Sequence, residues 1–162
     1  MTPQELFGHA GTAAMAGWVV LVLAPRRWDA LNAVPALLIP AGLSALYAML
    51  ILRHFADARG GYGSLADVAA LLSGEWMLLA GWVHYLAFDL AIGAVMARRM
   101  DGAGLSRIVQ APILASIFLF GPLGFLLALV ASGAMRPPAF AHRLGALRSS
   151  AIPATERTHA LA

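Results

Sequence analysis

Three residues of the types that exchange protons stand within one long apolar stretch of this sequence. Glu75, His84 and Asp89 lie in the segment 75–96, whose other residues are almost all apolar or aromatic. A charged side chain near the centre of a bilayer costs about 2.5–3.5 kcal/mol on insertion scales, so such residues usually face protein or water and mark function. The segment therefore predicts a membrane-spanning helix that carries acid–base chemistry.

Helical geometry separates these residues. At 100° per residue, Glu75, Trp82 and Asp89 fall on one stripe with Tyr85 at its edge, whereas His84 points about 140° away from Asp89. Glu75 and Asp89 are about 21 Å apart along the axis, so they cannot act on the same atom. Polar groups on two faces predict that other helices surround this one, with His84 and Asp89 both inside the bundle.

The composition of the whole chain is that of a membrane protein. Of its 162 residues, 60% are apolar and 12% are charged, and the mean hydropathy is +0.77. This excludes a soluble enzyme and a disordered chain. All eleven cations are arginine, placed mainly between and after the apolar stretches, which favours lipid headgroups over nucleic acid as their partners. The absence of cysteine excludes disulfides, thiolate metal sites and a cysteine nucleophile.

Four apolar stretches are long enough to cross a bilayer, which requires about 20 helical residues. They cover roughly 6–24, 34–52, 75–96 and 113–131. None has the alternation of a barrel strand, and a helix satisfies every backbone group within its own segment. The predicted fold is an all-α membrane protein with four transmembrane helices. The first stretch lacks a preceding basic region, so we expect it to be retained and not cleaved as a signal peptide.

The segments outside these stretches complete the predicted organisation. Ser64 and Asp67 form a capping-box pattern, which predicts a short interfacial helix over 64–72 between spans two and three. Residues 1–134 are predicted to form the transmembrane domain and 135–162 a disordered basic tail. Arginine counts on the two sides nearly balance, while the flanks of the first helix favour both termini outside.

The fourth stretch contains a proline flanked by small residues. Pro122 removes a backbone donor and frees the carbonyl of Phe118, which predicts a kink within the membrane. Gly121 and Gly124 would let another backbone, or a flat ligand, approach closely. Ordinary helix packing is the alternative explanation for these glycines.

Each candidate residue also has a purely structural explanation. Glu75 at a helix start complements the helix dipole, and His84 can be a core histidine bonded to a carbonyl that a proline has freed. Asp89 can pair with an arginine. Trp82 and Tyr85 can be packing or membrane-interface residues.

Several motifs together resemble the neoxanthin-synthase-like family, the abscisic-acid-deficient type of plastid membrane protein with its bacterial relatives. The resemblance covers roughly 6–131 and is carried by Ser73-Gly74-Glu75, Trp82-x-His84-x-Leu86-x-x-Asp89-Leu90, Asp101-Gly102 and Phe120-Gly121-Pro122-x-Gly124. The arginine- and alanine-rich composition favours a bacterial member in the inner membrane.

The resemblance implies carotenoid chemistry, since plant members are needed to convert violaxanthin, an epoxide, into the allenic neoxanthin. This is an isomerisation without redox change, and it is expected to need two proton-transfer groups in a dry groove but no cofactor and no metal. We expect Asp89 and His84 as the acid and base, with Glu75 as a further catalytic candidate. The expected substrate-binding residues are Trp82, Tyr85, Tyr47, Phe88, Gly121 and Pro122.

Other functions stay open at this point. The same surface would suit a non-catalytic pigment- or lipid-binding subunit of a membrane complex. His84 could be an axial ligand of haem or chlorophyll, although no second histidine lies at mid-membrane depth. A proton-coupled transporter with four short spans would need to oligomerise. The expected partners are a carotenoid-like lipophilic molecule and membrane lipids, without nucleic acid, and a homo-oligomer is left open.

Overall fold

The computed structural model describes residues 1–134, and this part of the chain is helical with no strand. The predicted basic tail lies outside the described residues. The helices are α1 (Pro3–Leu23), α2 (Asp29–Ala33), α3 (Ile39–His54), α4 (Leu65–Leu72), α5 (Glu75–Gly102), α6 (Arg107–Phe120) and α7 (Pro122–Ala134), with a π-helical turn, Val34–Leu38, joining α2 to α3.

Three helical segments are long and apolar enough to cross a membrane: Pro3–Leu23, Asp29–His54 and Glu75–Gly102. They match the first three predicted spans. The first begins at a capping box, in which the Thr2 hydroxyl accepts from the backbone N–H of Glu5 while the Glu5 carboxylate accepts from the N–H of Thr2. It ends before Pro25, which has no N–H with which to continue the helix.

The second spanning segment changes helix type because of its prolines. Pro35 and Pro40 cannot donate to the carbonyls four residues before them. The chain widens into the π-helical turn between these positions, where the N–H of Ile39 donates to the carbonyl of Val34. The segment therefore continues as one apolar helix through two residues that would break a regular α-helix.

The helix α4 confirms the short helix predicted between spans two and three. The Ser64 hydroxyl caps it by accepting from the N–H of Asp67 at 3.1 Å. Leu71 is buried, whereas Leu65 faces outward.

The helix α5 lies at the centre of the bundle, as predicted. It packs against α1, α3, α4, α6 and α7. It runs parallel to α1 in constant register, because Phe7 contacts Trp82, Trp18 contacts Gly93 and Arg26 contacts Asp101, each pair 75 positions apart. It runs antiparallel to α3, since Tyr47 packs on His84 and His54 stacks on Trp76.

The predicted fourth span is not one continuous helix. The chain breaks at Gly121 into α6 and α7, which have 14 and 13 residues and are about 20 Å long each, short of the ~30 Å hydrocarbon core. The kink expected at Pro122 is a reversal of the chain, because Gly121 adopts φ +39° and the missing N–H of Pro122 ends the first helix.

Contacts with α5 give the direction of each arm of this hairpin. On α6, the Gln110 amide donates to Asp101, and Phe118, further along, is reached by Tyr85. On α7, Gly121 lies against Asp89, whereas Ser132 accepts from Arg99 at 2.9 Å. The two arms therefore enter and leave at the same end of α5. The hairpin covers the half of α5 from Asp89 to Gly102. It does not reach the half that begins at Glu75, on which the other helices pack.

Candidate functional site

Asp89 is the buried carboxylate of the bundle. It is 8% exposed, and its Oδ2 is enclosed without a hydrogen-bond partner. Among residues 1–134, no arginine forms an ion pair with Asp89. The ion pair in this part of the chain joins Arg26 to Asp101. The placement of Asp89 inside the bundle was predicted, but the structure does not support the alternative in which an arginine neutralises it. A buried polar atom without a partner requires an explanation, and a functional role is one of them.

The tip of the hairpin closes over Asp89. A Cβ atom built on Gly121 would lie 3.0 Å from Oδ1 and 3.2 Å from Oδ2 of Asp89. The positive φ of Gly121 is also a conformation that L-residues with a side chain rarely adopt. Gly124 lies directly against the backbone of Ile117. The close approach of a backbone is therefore found at Gly124, where it is ordinary helix packing, whereas Gly121 is approached by a carboxylate and not by the predicted backbone or flat ligand.

Tyr85 joins α5 to the same tip. Its hydroxyl donates to the carbonyl of Phe118 at 2.7 Å. This is the carbonyl that Pro122, which has no N–H, leaves without its helical partner. Tyr85 precedes Asp89 by one helical turn, so the phenol and the carboxylate lie on one face of α5. The sequence signal for this contact was present, since a freed carbonyl in a membrane needs a donor at matching depth.

Trp82 continues the face of Tyr85 and Asp89 toward the uncovered half of α5. Its ring stacks on Tyr85 at 5.4 Å and lies 5.5 Å from the ring of Phe7 on α1. A groove of about 780 Å³ runs beside it between α1 and α5. Its wall includes the apolar side chains of Leu78 and Leu79, and Glu75 lies at its outer end. Glu75 is the first residue of α5, as predicted, and is exposed.

The prediction that His84 lies inside the bundle is wrong. His84 is exposed and packs between Phe88 at 4.6 Å and Tyr47 at 5.4 Å. The face of α5 that bears His84 is turned toward α3, whose side chains cover it only in part. His84, Tyr47 and Phe88 therefore form a separate aromatic cluster on the side of α5 that is turned away from Asp89.

A polar network that sequence reasoning missed anchors the base of the hairpin. Arg26 donates to Asp101 Oδ2 at 2.8 Å and to the carbonyl of Leu21, and the Gln110 amide donates to Asp101 Oδ1 at 2.7 Å. Arg107 donates to the carbonyl of Ala24. One carboxylate thus holds the end of α1, the end of α5 and the start of α6 together. Among the described residues, no three His, Asp or Glu side chains are grouped so as to hold a metal ion.

This arrangement can transfer a proton in an apolar site. A carboxyl group can give or take a proton, and the tip of the hairpin shields it on one side. The neighbouring hydroxyl of Tyr85 donates to the backbone carbonyl of Phe118, and this hydrogen bond holds the tip in place. On the same face of α5, Tyr85 and Trp82 present stacked aromatic rings, which suit a lipophilic reactant.

The fold and site define a class: an all-helical protein with three apolar helices of membrane-spanning length and a hairpin whose tip meets a buried carboxylate. The profile of the ABA DEFICIENT 4-like family matches residues 5–127, so the chain belongs to this neoxanthin-synthase-like family. The matched region includes most of α1, all of α5, the hairpin tip and the first six residues of α7. No curated protein and no solved structure gave a match.

Proposed function

We propose that this protein isomerises a lipophilic polyene, in the manner of epoxide opening to an allene, with Asp89 as the proton-transfer group. The observation that carries the proposal is the buried Oδ2 of Asp89, which has no partner and lies at the inner end of an aromatic stripe. A carboxylate kept without a counter-ion inside an apolar bundle is costly. A role that uses its proton explains why it is there.

The carboxyl group of Asp89 can act first as the acid and then as the base in this reaction. The protonated carboxyl gives its proton to the epoxide oxygen as the C–O bond breaks. The carboxylate then removes a proton from the adjacent polyene carbon, and the electron pair of that C–H bond completes the allene. No electrons are gained or lost overall, and Asp89 ends in its starting form. His84 takes no part in the proton transfer, because it lies on another face of α5. Glu75 is too far from Asp89 along the helix to act on the same atom.

Pigment binding without catalysis is the second candidate function. The observation that favours it is the groove of about 780 Å³ beside Trp82, which would hold an apolar chain whether or not Asp89 reacts. In either function the partners are a carotenoid-like molecule and membrane lipids. We place the protein in a bacterial inner membrane, with the arginine-only cationic composition as support.

The two candidates differ in their response to Asp89→Asn. This change keeps the shape of the side chain but removes its exchangeable proton, so turnover should fall by about 10²–10⁴-fold while pigment binding survives. The protein is expressed in hosts that make different epoxy-xanthophylls, and pigments are profiled for the wild type, Asp89→Asn and Asp57→Asn. Asp57 lies in an exposed loop and provides the matched control.

The outcomes separate the functions. A new product with the wild type and Asp57→Asn, lost with Asp89→Asn at equal detergent-extracted yield, supports the isomerase. An unchanged pigment profile in every background, with pigment still co-purifying, supports the pigment-binding subunit instead.

A further inference from the structure

The groove between α1 and α5 is polar at its outer end and apolar within. Gln4 and Glu75 lie at the outer end, at the first turns of α1 and α5. Phe7, Leu78 and Trp82 line the interior. Such a pattern complements an elongated molecule with an apolar body and a polar group at its end.

The polar groups at the outer end are free to bind. Within the described residues, neither Gln4 nor Glu75 makes a side-chain hydrogen bond, and both are exposed. Their neighbours Thr2 and Glu5, in contrast, are committed to each other in the capping box. An amide and a carboxylate without protein partners can both accept a hydrogen bond from a hydroxyl group.

The distance along this face sets the size of the molecule. Glu75 and Asp89 are separated by about 21 Å along α5, with Trp82 between them on the same stripe. A polyene whose reacting end lies at Asp89 would therefore extend past Trp82 and bring its far end to the level of Glu75.

Beside α5, the opposite half of the bundle is tightly packed. Beyond Asp89, the hairpin packs on α5 through a core that includes Met96, Met100, Ile117 and Ala128, each at most 6% exposed. Trp18 fills the space against Gly93, where an added Cβ would lie 2.5 Å from its ring. The groove between α1 and α5 lies on the other side of Asp89, beside the half of α5 that begins at Glu75.

We propose that the groove between α1 and α5 is a binding subsite for the far, hydroxylated end of the polyene. The ligand enters end-on from the leaflet at the first turns of α1 and α5, and its terminal hydroxyl donates to the Glu75 carboxylate and accepts from the Gln4 amide N–H. This inference rests on the proposed function, since it takes the reacting end to be at Asp89. It gives Glu75 a role in recognition at the entrance, about 21 Å from the chemistry.

The test compares two C40 polyenes of equal length, β-carotene with hydrocarbon ends and zeaxanthin with a hydroxyl on each end ring. Affinity is measured by tryptophan quenching with the protein in lipid nanodiscs. The wild type should bind zeaxanthin about tenfold more tightly, since a hydrogen bond to a charged group contributes roughly that factor. In the double variant Gln4→Leu/Glu75→Leu this preference should disappear, while Asp57→Leu should keep it.

A second pair of variants tests the location without touching the polar groups. Leu78→Trp fills the groove and should weaken the binding of both polyenes. Val95→Trp adds the same bulk to an equally exposed position on the covered half of α5 and should leave binding unchanged.

Two results would overturn the inference, and they differ in what else they overturn. Equal affinity of the wild type for both polyenes would contradict the hydroxyl subsite. The proposed function would still be supported in that case if Asp89→Asn loses turnover. Binding of neither polyene by the wild type removes the subsite and the proposed function together.

Discussion

At the scale of single residues, the site depends on one missing donor and the side chain that replaces it. Pro122 leaves the carbonyl of Phe118 without its helical N–H, and Tyr85 supplies a hydroxyl donor from another helix. In the hydrocarbon region no water is available to take that role. A proline that would be a defect in α6 alone therefore becomes the attachment point between the hairpin and α5.

Replacing Tyr85 by phenylalanine should destabilise the protein. The change leaves the carbonyl of Phe118 unpaired, which costs about 1–3 kcal/mol, while the ring still stacks on Trp82. Thermal unfolding in mild detergent measures the effect. Tyr62→Phe is the control, because Tyr62 is 72% exposed and should tolerate the change. Equal melting temperatures for the two variants would contradict the assigned role of the hydroxyl.

Gly121→Ala should destabilise the protein more than the same substitution at Gly104 or Gly133. Its Cβ would meet the Asp89 carboxylate, and its backbone would be strained at positive φ. Gly104→Ala separates the two causes, since Gly104 has φ +78° but open space around it. Gly133→Ala has open space and no positive φ. We expect melting temperatures in the order Gly133→Ala, Gly104→Ala, Gly121→Ala from highest to lowest. A Gly121→Ala variant as stable as Gly133→Ala would be evidence against the tight tip.

At the scale of elements, the hairpin is held at its base and at its tip by different interactions. Asp101 fixes the base through Arg26 and Gln110. The tip is fixed by Tyr85 and by the close contact of Gly121 with Asp89. The position of the tip over Asp89 therefore also depends on the hydrogen bonds of Asp101 at the base, more than one helical turn from Asp89.

Asp101→Asn should loosen the base of the hairpin. The amide cannot form the ion pair with Arg26 and offers one acceptor oxygen in place of two, which should lower stability by about 1 kcal/mol for this partly exposed network. Hydrogen exchange followed by mass spectrometry should rise first in α6. Asp29→Asn, at an exposed position, should exchange as the wild type does. Unchanged exchange in α6 of Asp101→Asn would show that the base does not need this carboxylate.

At the scale of the whole molecule, the hairpin changes which chain segments share a membrane side. The ends of α1 and α5 and both ends of the hairpin lie together, so Arg26, Arg27, Arg98, Arg99 and Arg107 belong to one side. Within residues 1–134 the other side has Arg53 and Arg59. Within residues 1–134, five arginines on the first side stand against two on the other, so the positive-inside rule predicts that the first side is cytoplasmic.

Single-cysteine labelling tests this topology cleanly, because the chain has no cysteine of its own. Ser106→Cys and Gly133→Cys should react with a membrane-impermeant maleimide from the same side, and Asp57→Cys from the opposite side. Ser106 and Gly133 flank the two arms of the hairpin. Labelling of Gly133→Cys from the side of Asp57→Cys would restore the four-span topology.

The sequence alone determined the helical segments and the family. Apolar length predicted the three helices of spanning length, together with a fourth that the structure does not have. Ser64 predicted the start of α4, and proline chemistry predicted the freed carbonyl of Phe118. These features depend on local backbone chemistry and on burial in lipid, which act on each segment separately. The proton-transfer role of Asp89 stays a prediction.

Only the tertiary structure decided how the helices meet. Spacing put His84 on a different face from Asp89, but whether that face is covered depends on how α3 packs, and the structure leaves His84 exposed. The kink predicted at Pro122 did not determine the path of the chain after it. After a break between two short apolar helices, the chain can either continue across the membrane or turn back to the side from which it came. Contacts of Ser132 with Arg99 and of Gly121 with Asp89 select the return. Such contacts join residues more than 30 positions apart, which no local pattern specifies.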